Sequence, residues 1–509
     1  MEVGGTPETR RRWGRAPPLV PQAAAMMGPA AVTPAPALVM ADMEGKWWTA
    51  MDCVHDIRVL EGSLAALGPF PHFPQNERQY QLEGFYFSEG APPVRTSIYL
   101  TDELLTKGLL FLGSAGCGKT NSMLRLSGQI LDQMGPDDAA IFFDVKRDYY
   151  DAFYEEGDYV LNAVDGPNVW NIFEDLLAYR DNENMLKMKI REACCYLFYG
   201  RSSSNEPYFV NAAREITGHI LRYFIYRAEE TGDDGQLNHE ALKNFIVGAS
   251  AKPGEDSYDV YRRVMGMYRQ FRGTLTYLPP KEFNDRSAYA VISEISNMAN
   301  DMLAGTFGQS TREKDRYLSA SNFIKKRGVR ALFMEFIPSL AESQSYVFRY
   351  FVDWAIAACG DPALRLGKIY LFLDELAVLP KLEYLDRALN LLRSKNVCII
   401  AGLQNVQQMF LTYGREKGLT VLDGFQSIAA FHCGSASGDY LQRRLGSALI
   451  QRGFTVAGGK WTYGEPQIVP AVTEYEIQEL RKGDAIVKLA EHGPFRFHFA
   501  RYAFQREQR

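Results

Sequence analysis

No apolar run in this sequence is both long enough to cross a membrane and free of proline. The one extended uncharged stretch, Ala16 to Ala41, is broken by prolines 17, 18, 21, 29, 34 and 36. That pattern excludes a spanning helix and a good signal-peptide core. Cysteine is sparse and scattered: the seven residues at 53, 117, 194, 195, 359, 398 and 433 form no C-x-x-C pair and no zinc spacing. This argues against a disulfide framework and for a reduced, cytoplasmic protein. The seven histidines form no H-E-x-x-H cluster, so no metal site is expected beyond nucleotide-bound Mg2+. Strong charge is also missing. A net charge of −5 excludes a generally basic nucleic-acid coat, yet leaves room for a local basic channel.

What is present is room for two or three domains in 509 residues. Residues 1–42 read as a disordered Ala/Pro-rich leader, with Met40 and Met43 as alternative starts. Residues 43–180 hold an N-terminal region and the first part of an α/β domain. Residues 181–302 are helical in period, as in the stripe Val260, Val264, Met267 and Phe271, and read as an inserted all-α domain. Residues 303–509 complete the α/β domain and end in a hairpin around His492-Gly493-Pro494. Apolar strands at Gly108–Leu112, Ala139–Asp144, Val329–Phe336, Lys368–Asp374 and Val397–Leu403 alternate with helices. Such alternation predicts a parallel sheet covered on both faces.

The run Gly113-Ser114-Ala115-Gly116-Cys117-Gly118-Lys119-Thr120 fits G-x-x-x-x-G-K-[ST] and lies between the strand ending at Leu112 and a helix expected over Asn121–Met134. Glycines in such a loop let backbone N–H groups converge on phosphate oxygens, and the helix N-terminus adds partial positive charge. Lys119 would reach the terminal phosphates, and the Thr120 hydroxyl would hold Mg2+. ATP is therefore the expected ligand.

A second element completes a hydrolytic site. Ile369 to Leu373 is an apolar strand that delivers Asp374 and Glu375, the first to hold Mg2+ and the second to act as general base. Gln404 ends the next strand, where a polar side chain can sense the γ-phosphate. Arg387 and Arg393 lie off the Leu382, Leu385, Leu389 and Leu392 stripe of a helix. Either could act as an arginine finger for a neighbouring subunit or be a solvated surface residue.

These residues resemble the coupling proteins of type IV secretion and conjugation, the TraG/TraD family of the HerA–FtsK class of motor ATPases. Asp144-Val-Lys146-Arg-Asp148, Asp158 to Asn162 with Asp165, and Trp170-Asn171 resemble the family's D-P-K-G-E … D-x-x-x-N-P-x-D … W-N passage. Asp374-Glu375 through Pro380-Lys-Leu382 resembles its D-E-x-x-x-L-P-x-L signature. Arg393, Gln404, Gln408 and Tyr413-Gly414 follow its R-x-x-G … G-x-Q-x-x-x-Q … Y-G block, and Thr473 to Ala485 resembles its E-x-x-x-L-x-x-G-x-A segment. The resemblance implies a RecA-like P-loop NTPase domain with an inserted all-α domain, hexamers around DNA, and partners such as a relaxase and secretion components at the membrane. It also puts Gln404 and Arg393 on the positions used for γ-phosphate sensing and inter-subunit contact. Two departures stand out: the family's usual N-terminal transmembrane anchor is missing, and Val145 and Arg147 replace the usual Pro and Gly. Any membrane contact is then expected to be peripheral, at the inner face.

The expected function is an ATP-dependent DNA translocase. Alternatives are a soluble motor of the same class for packaging or defence, and a nucleotide-switched recruitment module. Tyr261-Arg-Arg263 … Tyr268-Arg-Gln-Phe271-Arg272 interleaves aromatics with cations, as single-strand binding surfaces do. The same residues fit an amphipathic helix with a buried aromatic face. Lys325-Lys326-Arg327 reads as a surface charge run.

Overall fold

A computed structural model describes residues 39–41, 47–49, 56–65, 68, 70–71, 79–87, 92–198, 207–248, 252–281, 286–325, 328–360, 367–456 and 460–503. The expected leader lies outside these residues apart from Val39–Ala41, as do Lys326 and Arg327 of the charge run.

Strands of four to eight residues build the central sheet. In chain order its strands are β1 (Gln79–Tyr86), β2 (Val94–Thr101), β3 (Leu109–Leu112), β4 (Ala139–Asp144), β5 (Tyr159–Asn162) and β6 (Ala331–Glu335). They continue as β7 (Ile369–Leu373), β8 (Val397–Leu403), β9 (Ser427–Phe431), β10 (Asp484–Lys488) and β11 (Phe495–Phe499). Among the described residues they run in the order β2-β1-β11-β10-β9-β3-β8-β7-β4-β6-β5. The seven strands from β9 to β5 are parallel; the four from β10 to β2 add antiparallel pairs.

The expected hairpin is present, with Ala485 opposite Phe497. It pairs with β1, which sequence periodicity did not single out. Gly108 drops out of the expected strand Gly108–Leu112 because its φ is 77°, outside extended geometry.

Both faces of the parallel strands are apolar, and the strand period of two sorts them. Leu110, Leu112, Ile141, Phe143, Leu371 and Leu373 share one core with Leu186, Ile190, Ile220 and Ile295 of the helical block. Phe111, Phe142, Phe333 and Phe372 face the other way, against Met123, Leu126 and Ile130 of the helix Lys119–Gln133. From Glu183 to Met302 every described element is helical. Within that block Tyr261 and Phe271 are fully buried, while Arg263 pairs with Glu255 at 3.1 Å. Tyr261 and Phe271 are therefore core, not a stacking platform, and the half-buried Tyr268 packs against the same core. Met267, expected on the buried stripe, is 52% exposed, because the helix ends there and a 3₁₀ turn begins at Arg269.

All of this belongs to one compact unit, Val59–Leu449 with Ile468–Arg509. A small second unit, residues up to Arg58 with Ile450–Gln467, includes among its described residues the antiparallel pairings of Val39–Ala41 with Trp47–Thr49 and of Gly453–Val456 with Lys460–Tyr463.

Candidate nucleotide-binding site

The loop Gly113–Thr120 leaves the C-terminal end of β3, and the following helix starts at Lys119. Gly116 and Gly118 have φ of 76° and 122°, values that side chains with a Cβ rarely adopt. They turn the chain sharply enough to aim the helix N-terminus back over the strand ends. No side chain caps that terminus. Its base is held by backbone bonds, Gly113 N–H to Leu403 O at 3.0 Å and Ser114 N–H to His432 O at 2.8 Å. Gly483 N–H donates to Cys117 O at 2.9 Å from the turn before β10. Lys119 is buried, and its ammonium lies on the carbonyls of the loop itself, Gly113 O and Ser114 O.

Sheet order brings the acids to this loop. Strand β8 lies between β3 and β7, so the ends of all three converge. Gly402 of β8 makes the close approach: a Cβ there would lie 2.0 Å from Asp374 O. Thr120 Oγ1 donates to Asp374 Oδ1 at 3.2 Å. Gln404 Nε2 donates to Glu375 Oε2 at 2.6 Å, and Glu375 Oε1 is buried with no hydrogen-bond partner among the described residues. Lys119, Thr120, Asp374, Glu375 and Gln404 thus form one cluster.

The family of the type IV secretion-system coupling protein DNA-binding domain matches residues 95–253 and 306–497. The chain belongs to this family. No curated protein matches the sequence. Among solved structures, the bacterial conjugative coupling protein TrwBdeltaN70 in its unbound monoclinic form aligns with a TM-score of 0.64. That match has 17% identity and covers 89% of this chain and 98% of that one. The plasmid coupling protein TrwB in complex with the non-hydrolysable ATP analogue ADPNP aligns at 0.62, with 17% identity over 88% and 98%. TrwB in complex with ADP and Mg2+ aligns at 0.56, with 17% identity over 80% and 88%. At this identity the likeness is one of fold, a RecA-like P-loop domain.

Burial governs the electrostatics of this coupling protein's site. It raises the carboxyl pKa of Asp374, and the Thr120 hydrogen bond opposes it. It raises Glu375 as well, against the Gln404 bond, with Asp374 adding like charge. Asp144, on the neighbouring strand β4, is pushed up to about 6 by burial, although the N–H groups of Tyr150, Tyr149 and Lys146 all donate to it. Cys117 is buried and its thiol pKa is raised, which makes it a poor nucleophile.

Arg393 stands apart from the cluster. It lies in the turn Leu392–Lys395, before β8 begins, whereas Gln404 follows the strand's other end. Seven strand residues put roughly 20 Å between them. Arg387 is exposed and lies over the Tyr384 ring, 5.6 Å from its centroid.

Sequence reasoning passed over Tyr149. Its fully buried hydroxyl donates to Asp374 Oδ1 at 3.3 Å. No local pattern marks that contact, since 225 positions separate the partners. It also passed over Asn121, whose side chain exchanges two hydrogen bonds with the backbone of Tyr502, at 2.8 and 3.0 Å.

Proposed function

We propose that this coupling protein hydrolyses ATP to move DNA, or DNA with bound protein, towards a secretion channel. The observation that carries this reading is the meeting of Lys119, Thr120, Asp374, Glu375 and Gln404 at an uncapped helix N-terminus. Those residues fit a nucleoside triphosphate with Mg2+. The helix end favours anions, the hydrogen bonds of Lys119 among the described residues go to loop carbonyls, and there Glu375 keeps one buried oxygen without a hydrogen-bond partner. TrwB, of the same fold, has been seen with ADP and Mg2+ and with ADPNP. Mg2+, held by Thr120 and Asp374, would act as a Lewis acid on phosphate oxygens.

On this reading Gly113, Ser114, Ala115, Gly116, Cys117 and Gly118 cradle the phosphates, and Lys119 brings full positive charge to them. Glu375 takes a proton from water. Its raised pKa moves it towards neutrality, where a carboxylate is a better base. Gln404 orients that carboxylate and would report on the terminal phosphate. Arg393 is too distant to serve its own site, so it would act on a neighbouring subunit's nucleotide in a hexameric ring. DNA is the proposed partner because the family is described by a DNA-binding domain. A relaxase and secretion components at the membrane follow from the same family.

Turnover of ATP measured with and without single- and double-stranded DNA tests this. Several-fold stimulation is expected. Turnover indifferent to DNA, together with tight binding of a protein partner, would instead identify a recruitment module.

A further inference from the structure

The carboxylate of Asp374 receives two hydroxyl donors on the same oxygen, Oδ1: Thr120 at 3.2 Å and Tyr149 at 3.3 Å. The two donors differ in how firmly they are held. Thr120 sits at the mouth of the cluster, on the second residue of the phosphate-loop helix, and is half-buried. Tyr149 is fully buried. Its ring packs against Phe142 at 5.3 Å and Phe372 at 6.4 Å between centroids. Its backbone N–H donates to Asp144 Oδ2 at 2.9 Å, and Tyr150 N–H donates to the same oxygen. Asp144 in turn ends β4, the sheet neighbour of the strand that carries Asp374. Tyr149 is therefore fixed from both ends, by ring packing and by its backbone.

We propose that Tyr149 is the positioning residue that keeps Asp374 aimed for the cation that Thr120 and Asp374 would hold. The inference rests on the nucleotide reading above. A carboxylate held by no fixed donor would keep its rotamer freedom until the metal arrived, and ordering it then would weaken metal binding. The Tyr149 bond removes that cost, because the buried ring holds its hydroxyl on the carboxylate before any metal arrives. A hydrogen bond to a charged acceptor of this kind changes an equilibrium by roughly tenfold or more.

The test is Mn2+ binding, read by electron paramagnetic resonance, in the presence of a non-hydrolysable ATP analogue. Binding of the analogue without metal is measured alongside. Tyr149→Phe removes the hydroxyl and keeps the ring. It is expected to weaken Mn2+ binding roughly tenfold while leaving metal-free analogue binding unchanged. Tyr149→Met, which has no donor and a different shape, should weaken it at least as much. Unchanged Mn2+ affinity in Tyr149→Phe overturns the proposal. Loss confined to Tyr149→Met also overturns it, because packing and not the hydroxyl would then be responsible. If the unaltered protein takes up no Mn2+ with the analogue, the nucleotide reading itself fails, and the inference fails with it.

Discussion

The side-chain amide of Gln404 donates to one oxygen of Glu375 at 2.6 Å and leaves the other buried without a hydrogen-bond partner among the described residues. Burying a carboxylate oxygen with nothing to accept from is costly, on the order of 1–3 kcal/mol. On the proposed reading, a water molecule in the site would complete the set. The pair therefore defines what each residue should do when altered.

Glu375→Gln keeps the shape and removes the base. It is expected to bind ATP with near-normal affinity and to lose turnover by about 100-fold or more. Lys119→Ala should instead weaken binding itself. Equilibrium nucleotide binding measured beside steady-state turnover separates the two, and a Glu375→Gln protein with normal turnover would rule out the general-base role.

Gln404→Leu removes the donor that holds the Glu375 pKa down against burial. The pKa should then rise further. Glu375 must be ionised to accept a proton, so activity is lost as pH falls through its pKa. The acid limb of the pH–rate profile should move to higher pH in the variant. A limb at the same pH, with only a lower plateau, would mean that Gln404 acts on the nucleotide alone.

Arg393→Ala and Glu375→Gln should each be nearly inactive alone. Mixed in one ring, some interfaces would join an intact base to an intact arginine, and turnover should partly return. Turnover no higher than the sum of the two variants would remove the inter-subunit role.

His239 supplies a stability prediction away from the site. Its Nε2 accepts from Ile172 N–H at 2.9 Å, so the ring is neutral with its proton on Nδ1, facing Phe307 O at 2.7 Å. Burial lowers its pKa to about 4. Between pH 6.5 and 4 the unfolded chain binds the proton and the folded one does not, so this residue makes stability fall as pH falls. Asp175, raised to about 6 by burial, works in the opposite direction between pH 4 and 6. His239→Gln should therefore flatten the acid-side fall in unfolding free energy, and Asp175→Asn should steepen it. Denaturant titrations at pH 7, 5.5 and 4.5 give the comparison.

Phe142 packs in parallel against Phe372 at 4.8 Å and Phe333 at 5.1 Å, joining three adjacent strands on one face of the sheet. Phe142→Ala is expected to cost about 3–5 kcal/mol in unfolding free energy. A loss below 1 kcal/mol would show that the neighbouring rings close the gap.

The contiguous parts of this site were readable from residue order. Gly113–Thr120 is strand, turn and helix start in one run, and Ile369–Glu375 is a strand with its acids attached. In each case the chemistry lies within a few residues of the pattern that announces it. Gln404 was readable in position, at the end of an apolar strand. Its hydrogen bond to Glu375 depends on β8 lying between β3 and β7, and sheet order is a matter of long-range pairing. Period alone placed Val260, Val264, Met267 and Phe271 on one helical stripe; the break in the helix at Met267 and the surrounding core decided which of them face inward. The Tyr149 contact and the β1 pairing with the C-terminal hairpin join residues more than 200 positions apart. Local sequence determines which groups can hold a phosphate or a proton, because covalent spacing sets their reach. Only the packed sheet decides which of those groups meet, because strand order depends on which apolar faces exclude water together.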